Sequence, residues 1–318
     1  MDMLRFDGQA VLITGAGGGV GRAHALELAS RGARVVVADL GTALDGTGTS
    51  SGPADSVVRE IRDAGGEAVA CGESVTDPAG VKAMVEAALD SFGRLDAVIN
   101  NAGIHFPRMF EEYSVDDFRR MFEVHFFGTL QVCQLAWEHF KKNGGGRIVN
   151  TVSEGSLGLS PTSTAYGSAK AAVMGLVFNL AAEGGPYNIK VNGFCPHVST
   201  RLSAPEIMEK AFGRPAESFG HMAAMFPPEK TPPAMVYLTH ESCKVNGVLL
   251  SGGGNHALRW AVMQGQMLVN EDMSAELIAA NIDQMLAMAN PQHMGIGISG
   301  KPSLPSSKSL EQAPALKV

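Results

Sequence analysis

Residues 10–21 read Ala10-Val11-Leu12-Ile13-Thr14-Gly15-Ala16-Gly17-Gly18-Gly19-Val20-Gly21, an apolar run that leads directly into a glycine-rich turn. A segment with helical character follows. Glycines placed between a strand and a helix let backbone N–H groups approach a pyrophosphate at the positive helix N-terminus. The spacing is T-G-x-x-x-G-x-G, and the G-x-G-x-x-G pattern fails because its sixth position is Val20. The stretch therefore predicts a dinucleotide-binding turn, with a merely flexible turn as the alternative.

The rest of the chain repeats this alternation of strand and helix. Short apolar runs, several of them β-branched, are separated by segments long enough for helices: the runs lie at 34–38, 68–70, 97–99, 147–149 and 189–191, and the helical segments near 19–31, 54–64, 77–92, 115–142 and 163–183. Short buried runs between helices are typical of parallel strands. The sequence predicts a single Rossmann-type α/β domain, with a doubly wound parallel sheet flanked by helices.

Two segments interrupt the pattern within that domain, which we expect over residues 1–255. Residues 41–53 are polar and glycine-rich, which indicates a surface loop. Half of the 16 prolines lie in 186–233, so this part is neither one long helix nor a central strand, and we expect a substrate lid over 198–233. A helical extension is expected over 256–297. A Ser/Pro/Lys-rich tail, 298–318, is expected to be disordered.

Composition excludes several classes of protein. The chain has 318 residues, of which 45% are hydrophobic, and its formal net charge of −7 argues against a nucleic-acid partner. The apolar runs fall far short of the roughly 18 residues that span a bilayer. The N-terminus has no signal pattern and the C-terminus no peroxisomal S-K-L, so a cytoplasmic location is expected. The four cysteines form no C-x-x-C pair and are expected to be free thiols, without a metal site.

An acidic residue at the end of the second apolar run bears on the cofactor. Asp39 follows Gly21 by 18 residues, a separation at which an acid accepts hydrogen bonds from the adenosine ribose hydroxyls. A 2′-phosphate would be repelled there, and no Lys or Arg stands among Ala16, Gly17 and Gly18 to compensate. NAD is therefore expected rather than NADP. The alternative is that Asp39 only caps a loop.

A second group of residues suits proton transfer. Tyr166 and Lys170 are four residues apart on a predicted helix and thus share a face, and Ser153 follows the run at 147–149. A free tyrosine has a pKa of about 10 and is ionised about one time in a thousand at neutral pH. A nearby Lys170 cation is expected to lower that pKa, which would make Tyr166 a general base toward an alcohol.

Together these motifs resemble the short-chain dehydrogenase/reductase family over residues 8 to about 254. The resemblance implies that Ser153 positions the substrate oxygen, Tyr166 transfers the proton, and Lys170 holds the nicotinamide ribose. It implies a homodimer or homotetramer packed through helices 115–142 and 163–183. With the residues argued above, the expected cofactor-binding set is Gly15, Gly17, Gly19, Val20, Gly21, Asp39, Leu40, Ser74, Val75, Asn101, Ala102, Gly103, Tyr166, Lys170, Pro196, Val198 and Thr200.

A narrower resemblance rests on four further segments. Asp39-Leu40-Gly41 with its insert, Glu73-Ser74-Val75, Val124-His125-Phe126-x-Gly128 and His240-Glu241-Ser242-Cys243-x-x-Asn246-Gly247 are similar to the (3R)-hydroxyacyl-CoA dehydrogenase domain of peroxisomal multifunctional enzyme type two and to bacterial relatives. Some of those relatives oxidise hydroxysteroids. The resemblance implies that Ser74 and Val75 lie near the adenine.

Three positions near the expected site carry open alternatives. His125 stands where the family usually has a catalytic asparagine, and it either relays a proton or merely packs. His197 replaces a common glycine and either touches substrate or substitutes structurally. Glu154, beside Ser153, is a further candidate for substrate contact, although neighbouring side chains in an extended run point in opposite directions.

The lid segment is rich in methionine and phenylalanine, including Met208 and Phe212. Such side chains suit a deformable apolar surface. The lid then covers a lipophilic alcohol or ketone, with Met208 and Phe212 in contact with it, or these residues serve ordinary core or subunit packing. The sequence thus predicts an NAD-dependent alcohol dehydrogenase acting on a bulky secondary alcohol. The rival hypothesis is a cofactor-sensing binding protein without turnover.

Overall fold

The structure is a computed structural model that describes residues 2–158, 162–199, 205–288 and 291–294. Thr200 and the tail 298–318 lie outside the described residues. The helices are α1 Gly19–Ser30, α2 Gly52–Asp63, α3 Pro78–Phe92, α4 Val115–Phe122, α5 Gly128–Lys142, α6 Thr164–Gly184, α7 Pro205–Phe212, α8 Met222–Met225, α9 Pro232–Thr239 and α10 Ala275–Leu286. The strands are β1 Ala10–Thr14, β2 Arg34–Ala38, β3 Glu67–Cys71, β4 Ala97–Asn100, β5 Gly146–Thr151, β6 Ile189–Pro196, β7 Leu249–Gly253, β8 His256–Trp260, β9 Met263–Gln264 and β10 Gln292–His293.

Eight of these strands form one sheet in the order β3-β2-β1-β4-β5-β6-β7-β8. The strands β1 to β7 pair in parallel, and only the β7–β8 pair at the edge is antiparallel. The chain reverses its winding between β1 and β4, and ligands bind beyond the carboxyl ends of the strands at such a switch point. The predicted doubly wound fold is confirmed.

Helices cover both faces of the sheet. Alternate side chains of β1 show this, because Val11 and Ile13 belong to a core shared with Leu28 of α1, whereas Leu12 belongs to a core shared with Met84 of α3. These five side chains are apolar, and each is at most 1% exposed. Burying an aliphatic side chain of this size stabilises a fold by about 1.5–3 kcal/mol. The apolar runs thus fix the position of the glycine-rich turn that follows β1.

The C-terminal segment differs from the expectation. The predicted extension over 256–297 contains a helix, α10, but it begins with the strand β8, which we did not predict. Gly254 and Asn255 connect β7 to β8 and have φ angles of 53° and 70°. Two consecutive residues with positive φ form the type I′ turn that favours a two-residue hairpin. The Gly254-Asn255 pair was therefore the hairpin signal that the sequence analysis missed.

Residues 41–51 form neither helix nor strand, and α2 begins at Gly52, so the last two residues of the expected loop are helical. The loop closes on itself, because the Ser50 N–H donates to the Leu40 carbonyl at 2.9 Å. Two bonds then tie it to neighbouring elements: the His105 N–H donates to the Leu44 carbonyl at 3.0 Å, and Arg120 donates to the Asp45 carbonyl at 2.8 Å. The insert is thereby fixed against the segment that follows β4.

The proline-rich part of the chain forms short helices rather than one long element. In its described part, α7 and α8 alternate with single 3₁₀ turns before α9 begins. Proline lacks a backbone N–H and so limits the length of each helix. Among the described residues, no helix has the length and apolar character needed to cross a membrane.

Candidate active site

The glycine-rich turn closes because side chains are missing at two positions. A Cβ on Gly15, which has a φ of 64°, would lie 2.7 Å from the Cα of Ala102. A Cβ on Gly21 would lie 2.2 Å from the Gly15 carbonyl oxygen. Both contacts involve backbone atoms, which cannot move aside as a flexible side chain could. The first turn of α1 therefore packs directly on the loop after β1, as a cradle for phosphate requires.

The residues around this turn fit a dinucleotide. They line a cleft with a volume of 550 Å³ that extends from the turn to Tyr166. Gly18 caps α1 without any side-chain hydrogen bond, and a Cβ built on it would meet no atom within 4 Å, so the helix N-terminus opens toward the cleft. The wall includes these predicted cofactor residues: Gly15, Gly17, Gly19, Val20, Asp39, Leu40, Ser74, Val75, Asn101, Ala102, Gly103, Tyr166, Lys170, Pro196 and Val198.

Gly21 and Asn101 support the turn. Gly21 is not part of the described cleft wall and contributes by its close packing on Gly15. The Asn101 side chain donates to the carbonyls of Thr14 and Gly15 at 3.1 and 3.0 Å. In return, the Thr14 hydroxyl accepts hydrogen bonds from the N–H groups of Asn101 and Ala102. These bonds hold the ends of β1 and β4 together at the point where the cleft begins.

Asp39 is held in place beside the glycine-rich turn. Its Oδ2 accepts a hydrogen bond from the Gly17 N–H at 2.7 Å, and its Oδ1 accepts one from the Gly41 N–H at 2.7 Å. The carboxylate thus does cap the insert, as the alternative interpretation stated. Each oxygen still has a lone pair beyond the one used here. Capping and binding of a ribose hydroxyl are therefore compatible roles for this residue.

Ser153, Tyr166 and Lys170 meet at the carboxyl end of β5. The Lys170 ammonium donates a hydrogen bond to the carbonyl of Thr151, the last residue of β5, at 2.7 Å. Its Nζ lies 5.9 Å from the centre of the Tyr166 ring. The Ser153 hydroxyl accepts from the Gly155 N–H at 3.1 Å and is hydrogen-bonded to Tyr166. The structure therefore brings these three of the four predicted catalytic residues together, and the fourth, His125, lies against the Tyr166 ring.

The pKa of Tyr166 differs from the expectation. Burial of the phenol raises this pKa to about 12, and the hydrogen bond with Ser153 opposes the rise. Charges on Cys195 and Glu154 raise the pKa further, and the predicted lowering by Lys170 is not found. Burial also lowers the pKa of Lys170, to about 8. Burial thus disfavours the charged form of both groups, while Lys170 stays largely protonated at neutral pH.

His125 lies in a π-helical turn, Glu123–Phe127, between α4 and α5. Its Nε2 is 2.8 Å from the Ile104 carbonyl oxygen, a distance that suits an N–H donor. Its ring contacts the Tyr166 ring edge-on, with centroids 5.2 Å apart. Burial and the nearby Lys170 cation hold the pKa of His125 well below its usual value. The ring packs on Tyr166 as a neutral imidazole, and π-turns of this kind occur frequently at functional sites.

The sequence analysis did not single out His105, which follows β4 closely. Its ring contacts the Tyr166 ring edge-on with centroids 5.1 Å apart, and its Nε2 lies 3.1 Å from the Ser163 hydroxyl. Burial lowers the pKa of His105 to about 4. A polar residue just beyond the carboxyl end of a central strand was the available signal, because ligand sites in such sheets form at that edge.

The residues predicted to contact substrate do not lie together, unlike the catalytic residues. Glu154 is exposed, and neither it nor Ser153, His197 or Met208 is part of the described cleft wall. The His197 ring instead packs on Phe226 of the lid segment at 4.6 Å and on His256 of β8 at 4.8 Å. The side chain of Phe212, like all of Thr200, lies outside what the structure describes. Contact of these residues with a substrate stays a prediction.

Comparison with known proteins agrees with this geometry. Residues 9–209 match the family model described as short chain dehydrogenase. The chain is 40% identical over 291 residues to peroxisomal multifunctional enzyme type 2 of Mus musculus, an alignment that covers 90% of this chain and 38% of the mouse protein. It thus spans well under half the length of that relative.

Two solved structures have the same fold. A short chain dehydrogenase from Mycobacterium avium superposes with a TM-score of 0.74 at 35% identity, covering 89% of this chain and 96% of the other. A 7α-hydroxysteroid dehydrogenase in complex with NADH and 7-oxo glycochenodeoxycholic acid superposes with a TM-score of 0.63 at 31% identity, covering 79% of this chain and 95% of the other.

Proposed function

The chain belongs to the short chain dehydrogenase family, and from this premise we propose that it is an NAD-dependent oxidoreductase that interconverts a bulky secondary alcohol and its ketone. The observation that carries the proposal is that one cleft contains both a phosphate-binding turn and the residues suited to proton transfer. A phosphate cradle at Gly18 opens into the same cleft whose wall includes Tyr166 and Lys170. A reacting carbon and a dinucleotide held in that cleft would be brought together, which is the condition for efficient transfer between them.

In the proposed reaction, Tyr166 removes the hydroxyl proton of the alcohol and returns it in the reverse direction. The Ser153 hydroxyl, already hydrogen-bonded to Tyr166, would hold the substrate oxygen beside the phenol. Lys170 would bind the nicotinamide ribose, with its position set by the Thr151 carbonyl. When bound, NAD⁺ supplies the hydride acceptor and a positive charge that favours the phenolate.

The proposed preference for NAD rests on the fixed position of Asp39. Two backbone N–H groups hold its carboxylate beside the glycine-rich turn, where it would accept hydrogen bonds from the adenosine ribose. A 2′-phosphate placed there would face a like charge at short range. The similar structure of 7α-hydroxysteroid dehydrogenase, which contains NADH, is consistent with this choice of cofactor.

The proposed substrates are hydroxysteroids or (3R)-hydroxyacyl-CoA thioesters. Support comes from the relatives, one of which is a hydroxysteroid dehydrogenase and another a peroxisomal multifunctional enzyme. The cofactor-sensing alternative has no comparable support, because the family members compared are named as dehydrogenases or as a multifunctional enzyme. We also propose that the chain forms a homodimer or homotetramer packed through α5 and α6. Light scattering, which gives the molar mass of the assembly, tests this.

The experiment that tests the function is a screen for NADH formation with hydroxysteroids and (3R)-hydroxyacyl-CoA thioesters, run in parallel with short polar alcohols. We expect turnover with at least one of the two bulky classes, and faster turnover with NAD than with NADP. A protein that binds NAD but oxidises none of these alcohols would contradict the proposed activity. A clear preference for the short polar alcohols would contradict the proposed substrate class.

A further inference from the structure

The Tyr166 ring is packed between two imidazole rings that come from different parts of the fold. His125 reaches it from the π-helical turn before α5, and His105 reaches it from the loop after β4. Both contacts are edge-on, with interplanar angles of 86° and 75°. Edge-to-face pairs are worth about 0.5–1.5 kcal/mol beyond the area they bury, and their preferred angle restrains a ring. The orientation of Tyr166 is therefore set from two directions.

His105 is itself fixed at both its backbone and its side chain. Its N–H donates to the Leu44 carbonyl of the insert at 3.0 Å. Its Nε2 pairs with the hydroxyl of Ser163, the residue that precedes α6, at 3.1 Å. Because α6 carries Tyr166, His105 contacts both the start of that helix and the ring that the helix presents to the cleft. A restraint applied at these two points limits rotation of the ring.

The two ring nitrogens of His105 differ in their surroundings, because Nε2 lies beside Ser163 and Nδ1 does not. Only 8% of His105 is exposed, and its Nδ1 is buried without a hydrogen-bond partner among the described residues. Leaving a buried polar atom unpaired costs about 1–3 kcal/mol. A phenylalanine would present the same ring edge to Tyr166 without that cost. What the imidazole adds is the bond from Nε2 to Ser163, which fixes the angle at which the ring meets Tyr166.

We propose that His105 is a positioning residue that holds the Tyr166 phenol in the orientation needed for proton transfer, through its ring contact and its bond to Ser163. The inference rests on the proposed function of Tyr166 and deepens it. The ring contact carries most of the effect, and the bond to Ser163 fixes the angle of the imidazole. Loss of this support would let the Tyr166 hydroxyl move and would weaken its hydrogen bond with Ser153.

A change in the Tyr166 hydroxyl should be visible as a change in pH dependence. The groups that face Tyr166 are Lys170 of the same helix, Cys195 of β6, Glu154 next to Ser153, and the two histidines. The hydrogen bond with Ser153 is the interaction that lowers the pKa of Tyr166. A loosened phenol would lose that bond, so the pH at half-maximal oxidation would move upward.

The test compares His105→Ala, His105→Phe and the control His240→Ala in the full chain. His240 matches His105 in burial, at 7%, and in contacts, because it lies edge-on to the Phe6 ring at 5.0 Å and bonds to the Ser242 hydroxyl at 2.7 Å. It contacts no residue placed in the active site. For His105→Ala we expect kcat to fall by about ten- to a hundredfold with little change in KM, since misplacement near the reacting atoms costs this much.

The pH profile and the conservative variant separate positioning from folding. His105→Phe should recover kcat to within about threefold of the wild type, because the ring contact remains, and His105→Ala should shift the half-maximal pH upward by about half a unit. The control should lose stability but keep kcat and the profile. Unchanged kcat in His105→Ala, or a loss in it that phenylalanine does not rescue, would overturn the inference.

A second measurement does not depend on turnover. Ring resonances of isotopically labelled tyrosine, assigned with Tyr166→Phe, report how fast the Tyr166 ring flips. We expect faster flipping in His105→Ala and a wild-type rate in His105→Phe. If the wild type oxidises no alcohol, the proposed function fails and the flipping rate still decides the inference. If the wild type is active and the flipping rate is the same in all variants, the inference fails and the function stands.

Discussion

The Lys170 ammonium donates a hydrogen bond of 2.7 Å to the carbonyl of Thr151, which ties the middle of α6 to the last residue of β5. Lys170 is 4% exposed, and no carboxylate pairs with it among the described residues. Burial removes the ammonium from water and destabilises its charged form, which lowers the pKa of Lys170 to about 8. Lys170 also lines the cleft, together with Tyr166.

Replacing Lys170 by methionine should separate activity from stability. We expect kcat/KM for alcohol oxidation to fall by about a hundredfold or more, as when a single polar donor is removed from an active site. The free energy of unfolding at pH 7 should stay within about 1 kcal/mol of the wild type, because the lost hydrogen bond is offset by the removed desolvation cost. Steady-state kinetics and urea unfolding measure the two. Equal turnover in the variant would mean that Lys170 serves only the fold.

Tyr166→Phe should remove proton transfer by the phenol. We expect kcat/KM to fall by about 10²- to 10⁴-fold, the usual contribution of a general base. Wild-type oxidation should accelerate from pH 7 to 10, because the phenolate becomes more populated as the pH approaches the raised pKa of Tyr166. The residual rate of the variant should be flat over that range. Tyr187→Phe is the control, since Tyr187 is 46% exposed and lies outside the cleft wall.

Two glycines of the turn should respond differently to alanine. Gly18→Ala adds a methyl group that meets no atom within 4 Å, and the Gly18 φ of −167° suits any residue. We expect an unchanged Tm and NADH binding weakened about tenfold or more, which is about 1.4 kcal/mol, because the methyl group enters the cradle.

Gly21→Ala should instead destabilise the fold, since its methyl group would meet the Gly15 carbonyl oxygen at 2.2 Å. Overpacking of this kind costs about 1–3 kcal/mol. Thermal unfolding and NADH fluorescence titration distinguish the two variants. A stable Gly18→Ala protein that binds NADH as tightly as the wild type would place the phosphates elsewhere.

Removing the charge of Asp39 should relax cofactor choice. Asp39→Asn keeps the size of the side chain but lacks the carboxylate that would repel a 2′-phosphate. We expect NAD to bind more weakly than it does to the wild type. The ratio of NAD affinity to NADP affinity should fall about tenfold, which corresponds to about 1.4 kcal/mol. Asp45→Asn is the matched control within the same insert, because the Asp45 carboxylate accepts hydrogen bonds from Thr47 and is not part of the described cleft wall. An unchanged ratio in Asp39→Asn would assign the preference to another group.

Acid should destabilise the fold through His24 on α1. This residue is fully buried, its Nε2 pairs with the Thr231 hydroxyl at 3.2 Å, and burial lowers its pKa to about 3. The unfolded state binds the proton near pH 6.5 and the folded state does not. Stability is therefore complete above pH 6.5 and falls as the pH drops from there toward 3.

The contribution of His24 between pH 7.5 and 5.5 should be about 1.4 kcal/mol. Between pH 7.5 and 5.5 the free energy of unfolding should therefore fall by about 1.4 kcal/mol less in His24→Leu than in the wild type. Urea unfolding at both pH values measures this difference. The Thr231 hydroxyl still donates to the Pro228 carbonyl in this variant, so no new unpaired group complicates the comparison. Equal losses in both proteins would show that His24 is not the group that titrates.

Much of the site followed from the sequence because its parts are local. Gly15 to Gly21 lie within one turn of chain, and Tyr166 and Lys170 lie one helical turn apart, so spacing alone assigned them to a loop and a helix face. The parallel sheet followed from alternating apolar runs for the same reason. The hairpin at Gly254-Asn255 was equally local, and its dipeptide signal was overlooked.

The features that sequence could not supply depend on contacts between distant segments. Neither the packing of His105 and His125 on Tyr166 nor the pKa of about 12 for that phenol can be read from spacing, because burial by elements far apart in sequence determines both. Lys170 was expected to act on Tyr166 by its charge, but its bond to Thr151 directs the ammonium to a carbonyl. The sequence by itself determined the fold and the residue types at the cleft. Only the tertiary structure decided which groups are desolvated, and desolvation controls their protonation.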